Sequence, residues 1–148
     1  LSLLVCLMFT GCSNSETNST SRGLTDFAHI EEEYLATIDS LNWPDGITLP
    51  DKLEDEDTGA SFQVGYGETR ASYLWEYSWM KEWLDTYNTD PERAEKALEE
   101  LEKAFDMPYM GIDRCDDATR NYLRENIDKA KLGDPSGFTE SIRANYAN

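Results

Sequence analysis

The sequence predicts an all-α fold: a small bundle of four to five helices that follows a flexible N-terminal tether, with a long irregular loop between the first and second helices. Three observations lead there. Apolar side chains recur at spacings of three and four in separate segments, which is the period of one helical face. Residues that cap or stop helices stand at the ends of those segments. Trp75, Trp79, Trp83 and Tyr87 step by four along one stretch, so a single helix carries a broad aromatic face. The chain has 148 residues, which fits one domain, and the part beyond the tether is long enough to bury a proper core.

The first helix is predicted over 24–41. Phe27, Ile30, Tyr34, Ile38 and Leu41 share a face, and Thr25 or Asp26 can cap the start. Trp43-Pro44-Asp45-Gly46 supplies turn chemistry that ends it. Residues 44–67 carry Pro44, Pro50, Gly46, Gly59, Gly65, Gly67 and the acidic run Glu54-Asp55-Glu56-Asp57. They read as a long loop in which Ser61-Phe62-Gln63-Val64 forms a short extended piece.

The second helix is predicted over 68–87. A step of four residues drifts by about 40°, so the tryptophan stripe wraps roughly 120° of the surface. Tyr73, Tyr77, Met80 and Leu84 continue that arc, while Lys81, Glu82 and Asp85 lie opposite. Such a helix belongs at the centre, packed against several others. The third begins at Asp90-Pro91, a cap and the residue best tolerated at the first helical position. It carries Ala94, Ala97, Leu98, Leu101 and Phe105, and Pro108 and Gly111 end it. The fourth begins at Asp116 or Asp117, carries Ala118, Tyr122, Leu123, Ile127 and Ala130, and stops at Gly133. A short last helix over 135–146 offers Phe138, Ile142 and Tyr146.

The N-terminus reads differently. Residues 1–9 are apolar apart from Ser2, too few to span a bilayer, which takes about 20 residues. They have the character of a signal-peptide hydrophobic region. Phe9-Thr10-Gly11-Cys12 then resembles the lipobox of bacterial lipoproteins, with Thr10, Gly11 and Cys12 matching and Phe9 where Leu is usual. The resemblance implies cleavage between Gly11 and Cys12 and acyl chains on the Cys12 thiol. The Ser/Thr/Asn-rich stretch from Ser13 to Ser21 cannot bury apolar area and suits a tether. The expected organisation is a signal-peptide remnant at 1–11, a lipid-anchored flexible linker at 12–23 and a helical domain at 24–148. The implied location is the extracytoplasmic face of a cell membrane, held by lipid. Losing Cys6 with the signal and acylating Cys12 leaves Cys115 as the single free thiol, with no internal disulfide. Asp116 and Asp117 beside it disfavour a thiolate, and an inert, partly buried thiol is expected.

Thirty acidic residues against thirteen basic ones give a formal charge of −17. That surface repels phosphate backbones and argues against nucleic-acid binding. It leaves cationic partners and divalent ions open, alongside plain solubility.

Candidate chemistry is sparse. The aromatic stripe Trp75, Trp79 and Trp83, with Glu68 and Glu76 on the same helix, is one candidate ligand face, since aromatic rings stack on sugars. Tryptophan at helical spacing also forms cores, and the spacing favours that reading. Gly65-Tyr66-Gly67 falls short of a dinucleotide fingerprint because Arg70 stands where a third glycine is needed. The acidic run has Gly59 and Ala60 where a calcium loop needs an acid and then Gly. Glu68 and Glu76 lie about 12 Å apart along a helix, too far for a glycosidase pair. His29, the single histidine, has acidic neighbours and reads as a surface residue. No nucleophile motif or metal-ligand spacing occurs, so no catalytic residue, metal or cofactor is assigned.

GYGETRASYLWEYSW and the later AKLGDPSG resemble an uncharacterised family of exported or membrane-anchored actinobacterial helical proteins. That group shows a G-x-G turn, an Ala and W-x-C-A-W, then A-x-x-G-D-P and a terminal N-C. Gly65, Gly67, Ala71, Trp75 and Trp79 match the first part, and Ala130, Gly133, Asp134, Pro135 and Asn145 the second. Tyr77 and Tyr146 stand where the group has cysteines. If those cysteines pair in the group, the resemblance implies that Tyr77 and Tyr146 are neighbours and that the last helix packs on the aromatic one. It lends no activity. The expectation is a lipid-anchored cell-envelope protein acting as a non-enzymatic binding or interaction module, with an envelope protein or a glycan as partner. The alternative is a small envelope hydrolase that uses carboxylates on cell-wall polymer.

Overall fold

A computed structural model describes residues 23–146. Gly11, Cys12, the lipobox-like seam and the tether up to residue 22 lie outside the described residues. The fold is all-α, as the periodicity predicts: five α-helices, two short 3-10 helices and a two-residue β pairing.

Strand β1 (Leu24–Thr25) pairs antiparallel with β2 (Phe62–Gln63), Leu24 opposite Gln63 and Thr25 opposite Phe62. This corrects the start of the first helix. Helix α1 spans Phe27–Ser40, because Leu24 and Thr25 are spent on the pairing and Asp26 becomes the cap, accepting a hydrogen bond from the His29 amide at 3.0 Å. The β2 segment is the extended piece expected at 61–64.

Helix α2 (Tyr66–Thr86) is the axis of the molecule. Its N-terminal half packs on α1 through Ile30, Tyr34, Ile38 and Ala71, with Leu53 from the loop sealing that cluster. Its C-terminal half packs on helices α3 (Pro91–Glu102) and α5 (Ser136–Asn145), and α4 (Asp117–Lys131) packs on those two, around a shared core of Trp79, Trp83, Leu101, Ile127 and Phe138. Trp43 touches both clusters. Asp90 and Asp116 cap α3 and α4 by accepting from the amides of Arg93 at 3.2 Å and Thr119 at 2.8 Å. Gly133, at φ +80°, ends α4 in the left-handed conformation that glycine adopts without strain. Beyond α3 the chain makes two 3-10 turns, Lys103–Asp106 and Pro108–Met110, and the second carries Tyr109 and Met110 into the core.

The long loop is held in place. The Leu53 amide donates to Glu31 Oε2 at 3.1 Å, and Trp43 Nε1 donates to the Ile38 carbonyl at 2.9 Å. Glu56, from the acidic run, accepts from the Tyr66 hydroxyl at 2.7 Å and pairs with Arg70. Tyr77 and Tyr146 lie with ring centroids 5.0 Å apart, so α5 packs on α2 where the family resemblance implied. Among the described residues no helix is long and apolar enough to cross a membrane.

Candidate functional site

The G-x-G turn is the first site to resolve. Gly65 sits at φ +90° as the cap residue of α2, and it offers no side chain to the free amides of the first turn. Glu33 on α1 supplies the acceptor instead. Its two carboxylate oxygens take the Gly65 amide at 2.8 Å and the Gly67 amide at 3.1 Å. The place an anionic ligand would take at this helix start is therefore filled by the chain's own carboxylate. Gly67 has no room for a side chain, because a Cβ there would overlap the Ile30 carbonyl of α1. Arg114 lies over Gly65 and donates to Glu68 Oε2 at 2.8 Å, so Glu68 serves as an internal ion-pair partner. His29 Nε2 stands 3.2 Å from Glu33 Oε1, at the edge of the same arrangement.

The tryptophan stripe is core. Trp75, Trp79 and Trp83 are 1–2% exposed. The Nε1 groups of Trp75 and Trp79 both donate to the Asn42 carbonyl, at 2.9 and 3.1 Å. Trp83 stacks on Tyr87, with centroids 4.6 Å apart, and meets Phe138 edge-on at 5.4 Å. None of these three rings is open to a ligand, which corrects the sequence-based ligand face at these positions.

Glu76 lies elsewhere on the same helix, and its setting is different. It lines a groove of about 1110 Å³ between α2, α4 and α5. Met110 and Leu123 contribute to the apolar part of the groove, and Thr119 and Asn145 are polar groups along its wall. Tyr73 and Tyr122, 39% and 40% exposed, stand at its open side, and Tyr146 closes one flank. Glu76 itself is only 7% exposed. The buried Tyr109 hydroxyl donates to Glu76 Oε2 at 2.7 Å, and the Tyr73 ring meets the Tyr109 ring edge-on at 5.5 Å. Burial raises the Glu76 pKa from 4.5 to about 7, against the lowering effect of the Tyr109 hydrogen bond. Burial and the Glu76 carboxylate push the Tyr109 hydroxyl well above its usual range, so Tyr109 remains a donor.

Of the sequence-predicted face, then, the groove takes Glu76 alone. Tyr109, which donates to Glu76, and Tyr122, Asn145 and Tyr146 in the groove lining come from distant segments and carry no local signal as ligand-facing groups. Cys115 lies 3.6 Å from the Met110 sulfur, and burial pushes its thiol pKa up. Among the described residues, no three His, Cys, Asp or Glu side chains converge as a metal site. Comparison with protein-family models, with curated proteins and with solved structures gives no match.

Proposed function

We propose that this chain is a cell-envelope protein, lipid-anchored at Cys12 on the extracytoplasmic face of a membrane, and that its helical domain is a non-enzymatic binding module. The observation that carries the binding reading is the groove itself: a largely buried carboxylate in its lining, held by one tyrosine hydroxyl, beside the partly exposed rings of Tyr73 and Tyr122. Buried polar groups normally have partners within the fold. A site that leaves one facing an open groove is suited to a ligand that completes it. The anchor rests on the lipobox-like residues Thr10, Gly11 and Cys12 and on the polar tether behind them.

The hydrolase alternative draws on Glu76, whose pKa near 7 suits a general acid. Two-carboxylate hydrolysis needs a second carboxylate within roughly 5–10 Å. Among the described residues the groove lining contains no other, and Glu68 is committed to Arg114. Binding is the reading these positions favour.

Two measurements test the proposal. Mass spectrometry of the mature N-terminus from the native host should find an acylated residue 12, and Cys12→Ser should move the protein to the soluble fraction. A photo-crosslinking side chain at position 122, at the groove mouth, should yield an adduct with an envelope component in cells, whereas the same group at the exposed position 132, outside the groove lining, should not. Equal labelling from both positions would mean that the groove is not the binding face.

A further inference from the structure

We propose that the groove between α2, α4 and α5 is a binding site for a small organic cation, an ammonium group that pairs with Glu76 and is flanked by the rings of Tyr73, Tyr122 and Tyr146. This rests on the groove being the binding face and names the class of ligand it takes.

Four observations converge. Tyr109 donates to Glu76 Oε2, and the Glu76 side chain, more than nine-tenths buried, lines the groove with no cation paired to it in a salt bridge among the described residues. A buried carboxylate without a counter-charge is unfavourable, and a cation placed against it recovers much of that loss. Second, four tyrosines, Tyr34, Tyr73, Tyr122 and Tyr146, line the same groove, and aromatic faces attract ammonium groups most strongly where water is thinned out. Third, the cation already in the lining does not compete for Glu76: Arg70 is paired with Glu56 and with the Tyr66 hydroxyl. Fourth, the formal charge of −17 draws small cations toward the surface and disfavours anions. A neutral sugar would leave the ionised Glu76 without a counter-charge.

The pairing also sets a pH dependence. The titratable groups that feel Glu76 are Tyr73 on its own helix, Tyr109 on the 3-10 turn, Tyr146 at the end of α5 and Cys115 ahead of α4, and of these Tyr109 acts on Glu76 in return. Burial raises all four, so they stay neutral through pH 8 and Glu76 is the group that titrates. Cation binding requires the ionised carboxylate, so affinity should fall by about tenfold from pH 8 to pH 6.

Titration calorimetry of the full-length chain with choline, against its neutral isostere 3,3-dimethylbutan-1-ol, tests this. Choline should bind saturably at pH 8 and the neutral isostere at least tenfold more weakly. Glu76→Gln should weaken choline at least tenfold and abolish the pH dependence. Tyr122→Leu, at an exposed position, should weaken it several-fold. Equal affinity for the two isosteres, or unchanged choline affinity in a folded Glu76→Gln variant, would overturn the assignment. So would triacetylchitotriose binding without any response to choline, which would leave the groove as a site but for a neutral ligand. If Glu76→Gln does not fold, the comparison of isosteres on the unaltered protein still decides.

Discussion

Replacing Gly67 with alanine should separate close helix packing from helix propensity, because the two push stability in opposite directions. On an exposed helix face, alanine in place of glycine is favourable by about 1 kcal/mol. At Gly67 the new Cβ would lie 2.8 Å from the Ile30 carbonyl carbon and 2.9 Å from the Tyr34 amide nitrogen, and would overlap the Ile30 carbonyl oxygen outright. Comfortable contacts to carbon begin near 3.5 Å, so relieving the overlap with the carbonyl oxygen requires α1 to retreat by about 1.5 Å. That strain costs about 1–3 kcal/mol, and more where backbone rather than a side chain must give. The same retreat stretches the two bonds from Glu33 to the Gly65 and Gly67 amides, each contributing about 1 kcal/mol. The net expectation is a loss of about 2–4 kcal/mol, read in urea as a midpoint lowered by about 1–2 M. Helical circular dichroism and tryptophan fluorescence should report one transition, with Gly59→Ala in the exposed loop as a near-neutral control. A Gly67→Ala protein as stable as the parent, or more stable, would refute the direct backbone contact between α1 and α2.

The same packing makes three further predictions. Glu76 has its pKa raised on folding, from 4.5 to about 7, so the folded state holds a proton more tightly than the unfolded one; its unfavourable contribution is absent below about pH 4.5, grows as pH rises to about 7 and is flat beyond. Glu76→Gln should therefore be near-neutral at pH 4.5 and stabilising by up to about 3 kcal/mol at pH 8 in urea melts; an equal effect at both pH values would contradict the burial. Glu33→Ala strips the acceptor from two amides at the start of α2 and should cost about 2 kcal/mol, a fall in Tm of about 4–8 °C, with Glu33→Gln losing less. Phe138→Ala removes a fully buried ring that meets Trp83 edge-on at 5.4 Å and should cost about 3–5 kcal/mol in denaturant titration.

The features legible in the sequence were local ones. Thr25 or Asp26, Asp90-Pro91, and Asp116 or Asp117 announce helix starts because a cap acts within three residues of itself, and the structure uses Asp26, Asp90 and Asp116. The tryptophan stripe announces a central helix because burial imprints its period on the chain. Cooperation over long separations escaped. Helix α2 begins two residues before the predicted position because its cap comes from Glu33, more than thirty residues earlier. The long loop reads as irregular in isolation, yet it is ordered by Glu31, Arg70 and Tyr66, which the structure places on α1 and α2. The groove is the extreme case. Glu76 and Tyr109 are separated by 33 positions, and no periodicity connects them. The third-helix stripe extends to Phe105 in the sequence, whereas α3 ends at Glu102 and Phe105 lies on a 3-10 turn, since Pro108 and Gly111 stop a helix without specifying the conformation just before them.

The Glu33 bridge bears on the order in which the chain assembles. An isolated helix must close its first turn unaided, which is its slowest and least favourable step. Here the groups that complete that turn on α2 sit on α1, so nucleation of the longest helix is tied to the arrival of its neighbour. The N-terminal hairpin of helices should thus form as one cooperative unit, with the tryptophan-rich half zipping down from it. A chain lacking the residues up to and including Glu33 would lose the seed of α2 along with Phe27 and Ile30 from the packing face of α1.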